Sequence, residues 1–183
     1  KTGMAALIGV NANEIEKTIK DNNLELQVAN DNSPIQVVVS GNLNELNRSK
    51  NIFLNNNIKK FVQLNVSAAF HSKYMSEAQN SLNENIKNLT FNKNNIKIIS
   101  NYSSEVSSDI LEIKKSLMNQ MSNKVRWTES IQKLAEVGED TIIEIGPGKV
   151  LSGLIKRISN SFDIKPMSTI MDLKNLWIKT IKF

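Results

Sequence analysis

The first 66 residues alternate between strand and helix patterns in an order that restricts the fold. Four short runs are apolar or alternate with period two, which predicts strands over residues 4–10, 24–29, 35–40 and 58–66. Helical spacing predicts one helix capped by Asn11 or Asn13 and a second helix over 43–54. Asparagines and a proline over 30–34 predict a turn. The order β-α-β-β-α-β is that of the ferredoxin-like arrangement, in which two helices cover one face of a four-stranded antiparallel sheet.

After residue 66 the strand and helix patterns alternate one for one. Strands are predicted over 96–100, 141–145 and 164–167, and helices over 73–88, 109–122, 128–137, 149–158 and 171–182. Such alternation indicates βαβ units and a mainly parallel sheet. Because three strands make only part of such a sheet, we expect its remaining strands to lie upstream of Lys1.

The only histidine of the chain, His71, lies where the strand over 58–66 gives way to the helix over 73–88. Histidine is the side chain whose unperturbed pKa lies near neutrality, which makes His71 the candidate for proton transfer. The alternative is a polar loop residue without chemistry, and composition alone favours this alternative. Two sequence motifs that would indicate phosphate binding or a nucleophilic serine are absent. Gly146-Pro147-Gly148-Lys149 departs from the P-loop pattern and indicates a tight turn, and no G-x-S-x-G nucleophile elbow occurs.

Composition excludes several classes of site. The chain has no cysteine and one histidine, so disulfides, thiol nucleophiles and a cysteine or histidine metal site are not expected. It lacks an apolar run of 18 residues and a signal-peptide core, which predicts a cytoplasmic protein without a membrane partner. A net charge of +5 favours an acidic partner. Only three arginines are present, which argues against nucleic acid.

Five segments occur in the same order as in a known enzyme family. They are Gly3-Met4-Ala5-Ala6, Asn30-x-Asn32-Ser33-Pro34-x-Gln36-Val37-Val38, Val66–Ser72, Gln120 with Val125-x-Trp127, and Glu144–Leu151. Together they resemble the malonyl-CoA:acyl carrier protein transacylases and the acyltransferases of polyketide synthases. The residues around His71, over 68–75, look most like those of freestanding acyltransferases that serve polyketide synthases in trans.

The resemblance implies a ping-pong transfer through a serine ester and assigns roles to five residues. His71 matches the general base, and Gln120 matches the residue whose main-chain carbonyl orients the imidazole. Phe70 matches a position where phenylalanine accompanies malonyl and serine accompanies methylmalonyl substrates, although packing between subdomains would also explain it. Asn30 and Asn32 match the substrate cleft and are candidates for contacts with CoA or pantetheine, or simply turn-forming residues.

The family's nucleophilic serine, oxyanion-hole glutamine and carboxylate-binding arginine have no counterpart here. None of the three arginines present, Arg48, Arg126 and Arg157, lies at the position of the family's arginine. We therefore expect the serine, the glutamine and the carboxylate-binding arginine to lie upstream of Lys1, and we expect this chain alone to be inactive. The predicted fold is α/β. A ferredoxin-like small subdomain over 1–66 is inserted in an α/β-hydrolase-like large domain, of which 67–183 is the C-terminal part.

The predicted function is malonyl transfer from CoA to the phosphopantetheine thiol of an acyl carrier protein, for fatty-acid or polyketide synthesis. Malonyl-CoA is the substrate, no cofactor is expected to be bound permanently, and the complete protein is expected to be a monomer. Two alternatives stay open: an acyl hydrolase that edits stalled chains on the same scaffold, and a non-catalytic module that binds carrier protein.

Overall fold

The first third of the chain forms a four-stranded antiparallel sheet with two helices. The computed structural model describes residues 1–56, 58–93 and 95–180. The elements are β1 (Thr2–Ile8), α1 (Ala12–Asp21), β2 (Leu26–Ser33), β3 (Gln36–Asn42), α2 (Leu43–Asn55) and β4 (Lys60–Gln63). The strands lie side by side in the order β2-β3-β1-β4. All six elements therefore occur in the predicted sequence order.

Both helices pack on one face of this sheet. Leu7 of β1 and Val39 of β3 are fully buried beneath Ile15 of α1 and Phe53 of α2, in a single cluster. Alternate residues of a strand point to opposite faces, and the other face buries only a smaller cluster of Met4, Ala6, Ala29 and Val38. The helix-covered face therefore contains most of the apolar core in this part of the chain.

Asparagine side chains begin both helices. Asn11 accepts a hydrogen bond from the Glu14 amide at 3.0 Å, and the Glu14 carboxylate accepts from the Asn11 amide, which forms a capping box. Asn42 accepts from the Asn44 amide at 2.8 Å at the start of α2. Of the two predicted caps for α1, Asn11 is the one observed.

The turn predicted over 30–34 is shorter and lies later, at residues 34 and 35, because β2 continues through residues 30–33 and ends at Ser33. The main chain of Val125 pairs with the free edge of β2: the Asp31 amide donates to the Val125 carbonyl at 2.9 Å, and the Val125 amide donates to the Ala29 carbonyl at 2.8 Å. The Thr128 hydroxyl also donates to the Asp31 carboxylate at 2.7 Å. A distant segment thus provides the hydrogen bonds that hold a polar sequence extended.

The rest of the chain is mixed helix and strand. A short 3-10 helix (Lys73–Met75) precedes α3 (Ser76–Lys87), β5 (Ile98–Ile99), β6 (Val106–Ser107), α4 (Ile110–Asn119), α5 (Trp127–Glu136), β7 (Thr141–Ile145), α6 (Val150–Ile158), β8 (Asp163–Met167) and α7 (Ile170–Thr180). The predicted end of the last helix at Lys182 lies outside the described residues. None of the helices seen over 1–56, 58–93 and 95–180 is both long and apolar enough to cross a membrane.

The predicted three-stranded parallel sheet is wrong in one strand. β7 and β8 pair in parallel, whereas β5 pairs antiparallel with β6, a strand that sequence analysis missed because its two residues carry no periodicity. Only one face of β7 is covered in the described structure. Ile142 packs against the cluster formed by α5 and α6, while Ile143 is 43% exposed and Ile145 is 84% exposed.

Candidate active site

His71 occupies a tight turn between β4 and α3, in a backbone conformation that non-glycine residues rarely adopt. Its φ angle is +57°, in the left-handed region, where histidine is found more often than most residues. Holding such a conformation costs about 1–3 kcal/mol and needs support from the surroundings. The His71 amide donates to the Met121 carbonyl at 3.2 Å, and the buried Ser72 hydroxyl donates to the Ala69 carbonyl at 2.6 Å.

The imidazole of His71 is oriented by a main-chain carbonyl. Nδ1 lies 3.1 Å from the carbonyl oxygen of Gln120. Because a carbonyl can only accept a hydrogen bond, Nδ1 carries the proton and Nε2 keeps a free lone pair in the neutral ring. An imidazole in this form can take up a proton at Nε2 while the carbonyl stabilises the resulting charge.

The Gln120 carbonyl is available because helix α4 ends just before it. α4 runs to Asn119, and the last carbonyls of a helix have no partner within the helix. The side chain of Gln120 takes no part in this contact, since its buried amide nitrogen has no hydrogen-bond partner in the described part of the chain. The role therefore depends on the position of the residue and not on the identity of its side chain.

The other predicted site residues do not hydrogen-bond to this pair in the described part of the chain, and neither Asn30 nor Asn32 lines the cleft at His71. Phe70 precedes His71 and is 37% exposed, so its ring is not packed in a core. Asn30 and Asn32 lie half-buried in β2, and the main chain of Asn30 is bridged to Val125. Within the described ranges neither asparagine side chain hydrogen-bonds to the imidazole.

An open cleft of about 320 Å³ reaches the imidazole from the side of α1 and β2. Its wall includes His71, Gln27, Glu16 and Lys124, and the last two form an ion pair at 2.9 Å. The Gln27 side chain accepts a hydrogen bond from the Lys73 amide at 2.8 Å, which fastens the His71 turn to β2. Sequence reasoning missed Gln27 because its partner lies 46 positions away and no local pattern signals the contact.

All three arginines are engaged in structural contacts. Arg48 pairs with the Glu45 carboxylate, and Arg157 donates to the Gln36 side chain at 2.6 Å. Arg126 donates to the Ser103 carbonyl at 3.0 Å and forms an ion pair with Glu129.

Two carboxyl groups have shifted pKa values, in opposite directions. The Arg126 guanidinium holds the pKa of the Glu129 carboxyl below its usual value. Burial raises the pKa of the Asp31 carboxyl.

The glycine turn before α6 does not form a free anion site. Gly146 and Gly148 have positive φ angles, as the tight turn requires. The Glu144 carboxylate accepts hydrogen bonds from the Leu151 amide at 3.0 Å and from the amide and hydroxyl of Ser152. These bonds, chiefly that from the Ser152 hydroxyl, lower the pKa of Glu144. A side-chain carboxylate therefore occupies the amides that a phosphate would need.

The sequence matches a known protein family and several characterised relatives. Residues 1–175 match the family model described as "Acyl transferase domain". The polyketide biosynthesis protein PksE of Bacillus subtilis is 40% identical over 171 residues, which are 92% of this chain and 22% of PksE. The polyketide biosynthesis malonyl CoA-acyl carrier protein transacylase PksC of the same organism is 35% identical over 167 residues, which are 90% of this chain and 57% of PksC.

Solved structures agree in fold. The crystal structure of an acyl-carrier-protein S-malonyltransferase from Bartonella henselae matches with a TM-score of 0.91 at 31% identity, covering 98% of this chain and 58% of that one. The chain thus spans 22% to 58% of the length of these three proteins.

Proposed function

Because this chain belongs to the acyl transferase domain family, we propose that its His71 is the general base in transfer of a malonyl group from CoA to an acyl carrier protein. One observation carries the proposal: the 3.1 Å contact between Nδ1 and the Gln120 carbonyl leaves Nε2 free to accept a proton. The similarity to PksC, which is named as a malonyl CoA-acyl carrier protein transacylase, supports malonyl-CoA as the substrate and acyl carrier protein as the partner. We place the protein in the cytoplasm, without a permanently bound cofactor.

The proposed reaction has two proton-balanced halves. A serine hydroxyl gives its proton to Nε2 of His71 as its oxygen attacks the thioester carbonyl of malonyl-CoA, and the imidazolium returns that proton to the departing CoA thiolate. The carrier protein's thiol then gives its proton to Nε2 as its sulfur attacks the malonyl-serine ester, and the imidazolium reprotonates the departing serine oxygen. The Gln120 carbonyl accepts from Nδ1 throughout and stabilises the imidazolium.

The remaining predicted residues complete the proposal. We assign Phe70 to the wall of the acyl pocket and Asn30 and Asn32 to contacts with the pantetheine arm. Residues 1–66 are proposed to form a ferredoxin-like small subdomain, which the strand order β2-β3-β1-β4 supports. Residues 67–183 are proposed to be the C-terminal part of an α/β-hydrolase-like large domain, and the parallel pairing of β7 with β8 supports this.

The proposed function is tested by supplying the missing nucleophile. We expect this chain, co-expressed with the segment of a relative such as PksC that corresponds to the family's serine-bearing part, to load malonate from malonyl-CoA onto phosphopantetheinylated acyl carrier protein. Each part alone should not do so, because the serine and the histidine are then separated. Intact-mass spectrometry of the carrier protein measures the loading. A co-purifying pair that releases free malonate without loading would instead indicate the hydrolase, and a pair without either activity would contradict catalysis.

Replacing Phe70 with serine is expected to relax acyl selectivity in the same assembly. Removing the ring makes room for an α-methyl branch, and one methyl in an apolar pocket is worth about 1–3 kcal/mol, or roughly 10- to 200-fold in discrimination. The ratio of kcat/KM for malonyl-CoA over methylmalonyl-CoA should fall by about that factor. Tyr74→Ser, at an exposed aromatic residue three positions after His71, is the control and should keep the ratio. An unchanged ratio in Phe70→Ser would remove Phe70 from the acyl pocket.

A further inference from the structure

Gln79 connects helix α3 to the segment that follows α4. It lies half-buried eight positions after His71, and its side-chain oxygen accepts two hydrogen bonds from Ser122, one from the amide at 3.0 Å and one from the hydroxyl at 2.8 Å. Because a backbone amide can only donate, the oxygen of the Gln79 side chain, and not its nitrogen, must face Ser122. The orientation of this side chain is therefore fixed by its partner.

Three consecutive residues after α4 are each fastened to the stretch between His71 and Gln79. The Gln120 carbonyl accepts from Nδ1 of His71, the Met121 carbonyl accepts from the His71 amide, and the Ser122 amide donates to Gln79. The first two bonds come from His71 itself. Among the hydrogen bonds of the described residues, the two from Ser122 to Gln79 are thus the ones that join this stretch to the 120–122 segment without depending on His71.

We infer that Gln79 is a positioning residue, which holds Ser122 so that the Gln120 carbonyl stays against Nδ1 of His71 and the neutral ring keeps its proton there. The structural part of this inference is independent of catalysis, and its kinetic consequence rests on the proposed function. Without the Gln79 acceptor, Ser122 is no longer held to α3. The Gln120 carbonyl then moves away from the imidazole of His71, and Nδ1 loses its hydrogen-bond partner. The ring can then place its proton on Nε2, the atom that the base needs free.

The single histidine makes the test site-specific. A long-range proton–nitrogen correlation spectrum of the neutral ring in this chain reports only His71 and distinguishes a proton on Nδ1 from one on Nε2. We expect the unmodified chain to show the proton on Nδ1 and Gln79→Met to show a shift of population toward Nε2. Gln79→Glu keeps both acceptor bonds and should keep the unmodified pattern. Gln132→Met, the same change at an exposed position of α5, is the matched control and should also keep it.

The inference is overturned if Gln79→Met retains the unmodified pattern, or if Gln79→Glu shifts it as far as Gln79→Met does. Gln79→Asn, whose amide is one methylene too short to reach Ser122, decides the matter if the methionine variant does not fold. In the assembly with the serine-bearing segment, Gln79→Met should lower kcat by roughly 10- to 100-fold with KM unchanged, since a misplacement of about 1 Å can cost on the order of 10²-fold. An inactive unmodified assembly would refute the proposed function while leaving the spectroscopic result to judge Gln79.

Discussion

Replacing His71 with asparagine is expected to lower kcat for malonyl transfer by about 10²- to 10⁴-fold in the assembly with the serine-bearing segment, the range typical of a lost general base. Asparagine tolerates the left-handed conformation that His71 adopts, so the change removes the imidazole without adding backbone strain. The serine would then have no acceptor for its proton, and neither the malonyl-serine ester nor the loaded carrier protein should accumulate. Mass spectrometry of both proteins measures the two steps separately.

A matched control separates loss of the base from loss of the fold. Asn23 also has a positive φ angle, +48°, in an exposed turn after α1. Asn23→Ala should lower stability by about 1 kcal/mol, because alanine tolerates the left-handed region less well than asparagine does, and should leave kcat unchanged. Transfer by His71→Asn within a factor of about three of the unmodified rate would show that proton transfer uses another group.

Replacing Phe53 with alanine is expected to lower the free energy of unfolding by about 3–5 kcal/mol. Phe53 is 0% exposed and stacks on Phe61 with ring centroids 6.3 Å apart, so truncation leaves a cavity at the centre of the helix-covered face. Typical domains are stable by about 5–15 kcal/mol, so the loss is more than half of the total for a domain at the lower end of that range. Denaturant unfolding followed by circular dichroism measures the change.

The neighbouring residue in α2 provides the control for this prediction. Leu54 is 38% exposed, and Leu54→Ala should change stability by less than about 1 kcal/mol because little apolar surface is lost. Equal losses in the two variants would mean that helix propensity, and not burial, governs the stability of α2.

Local patterns predicted most elements but not the long-range contacts. The apolar run over 141–145 coincides with β7, because a short apolar run bounded by turn residues needs no distant information. β2 was predicted too short, because its second half is held by Val125, about a hundred positions away. His71 is a candidate base because of its chemistry and its place at a strand-to-helix turn. The role predicted for Gln120 came from resemblance alone, and the contact of Gln79 with Ser122 was not predicted because it spans 43 positions.

The pairing of β2 with Val125 bears on how residues 1–66 can be exchanged between members of the family. A chimera joined at residue 66 would give Ala29 and Asp31 a foreign neighbour, and the Asp31 carboxylate would lose the Thr128 hydroxyl that solvates it. Residues 125–128 should therefore come from the same parent protein as the first 66 residues, although they lie about 60 positions further along the chain. Donor and acceptor proteins should be matched at both places before residues 1–66 are swapped.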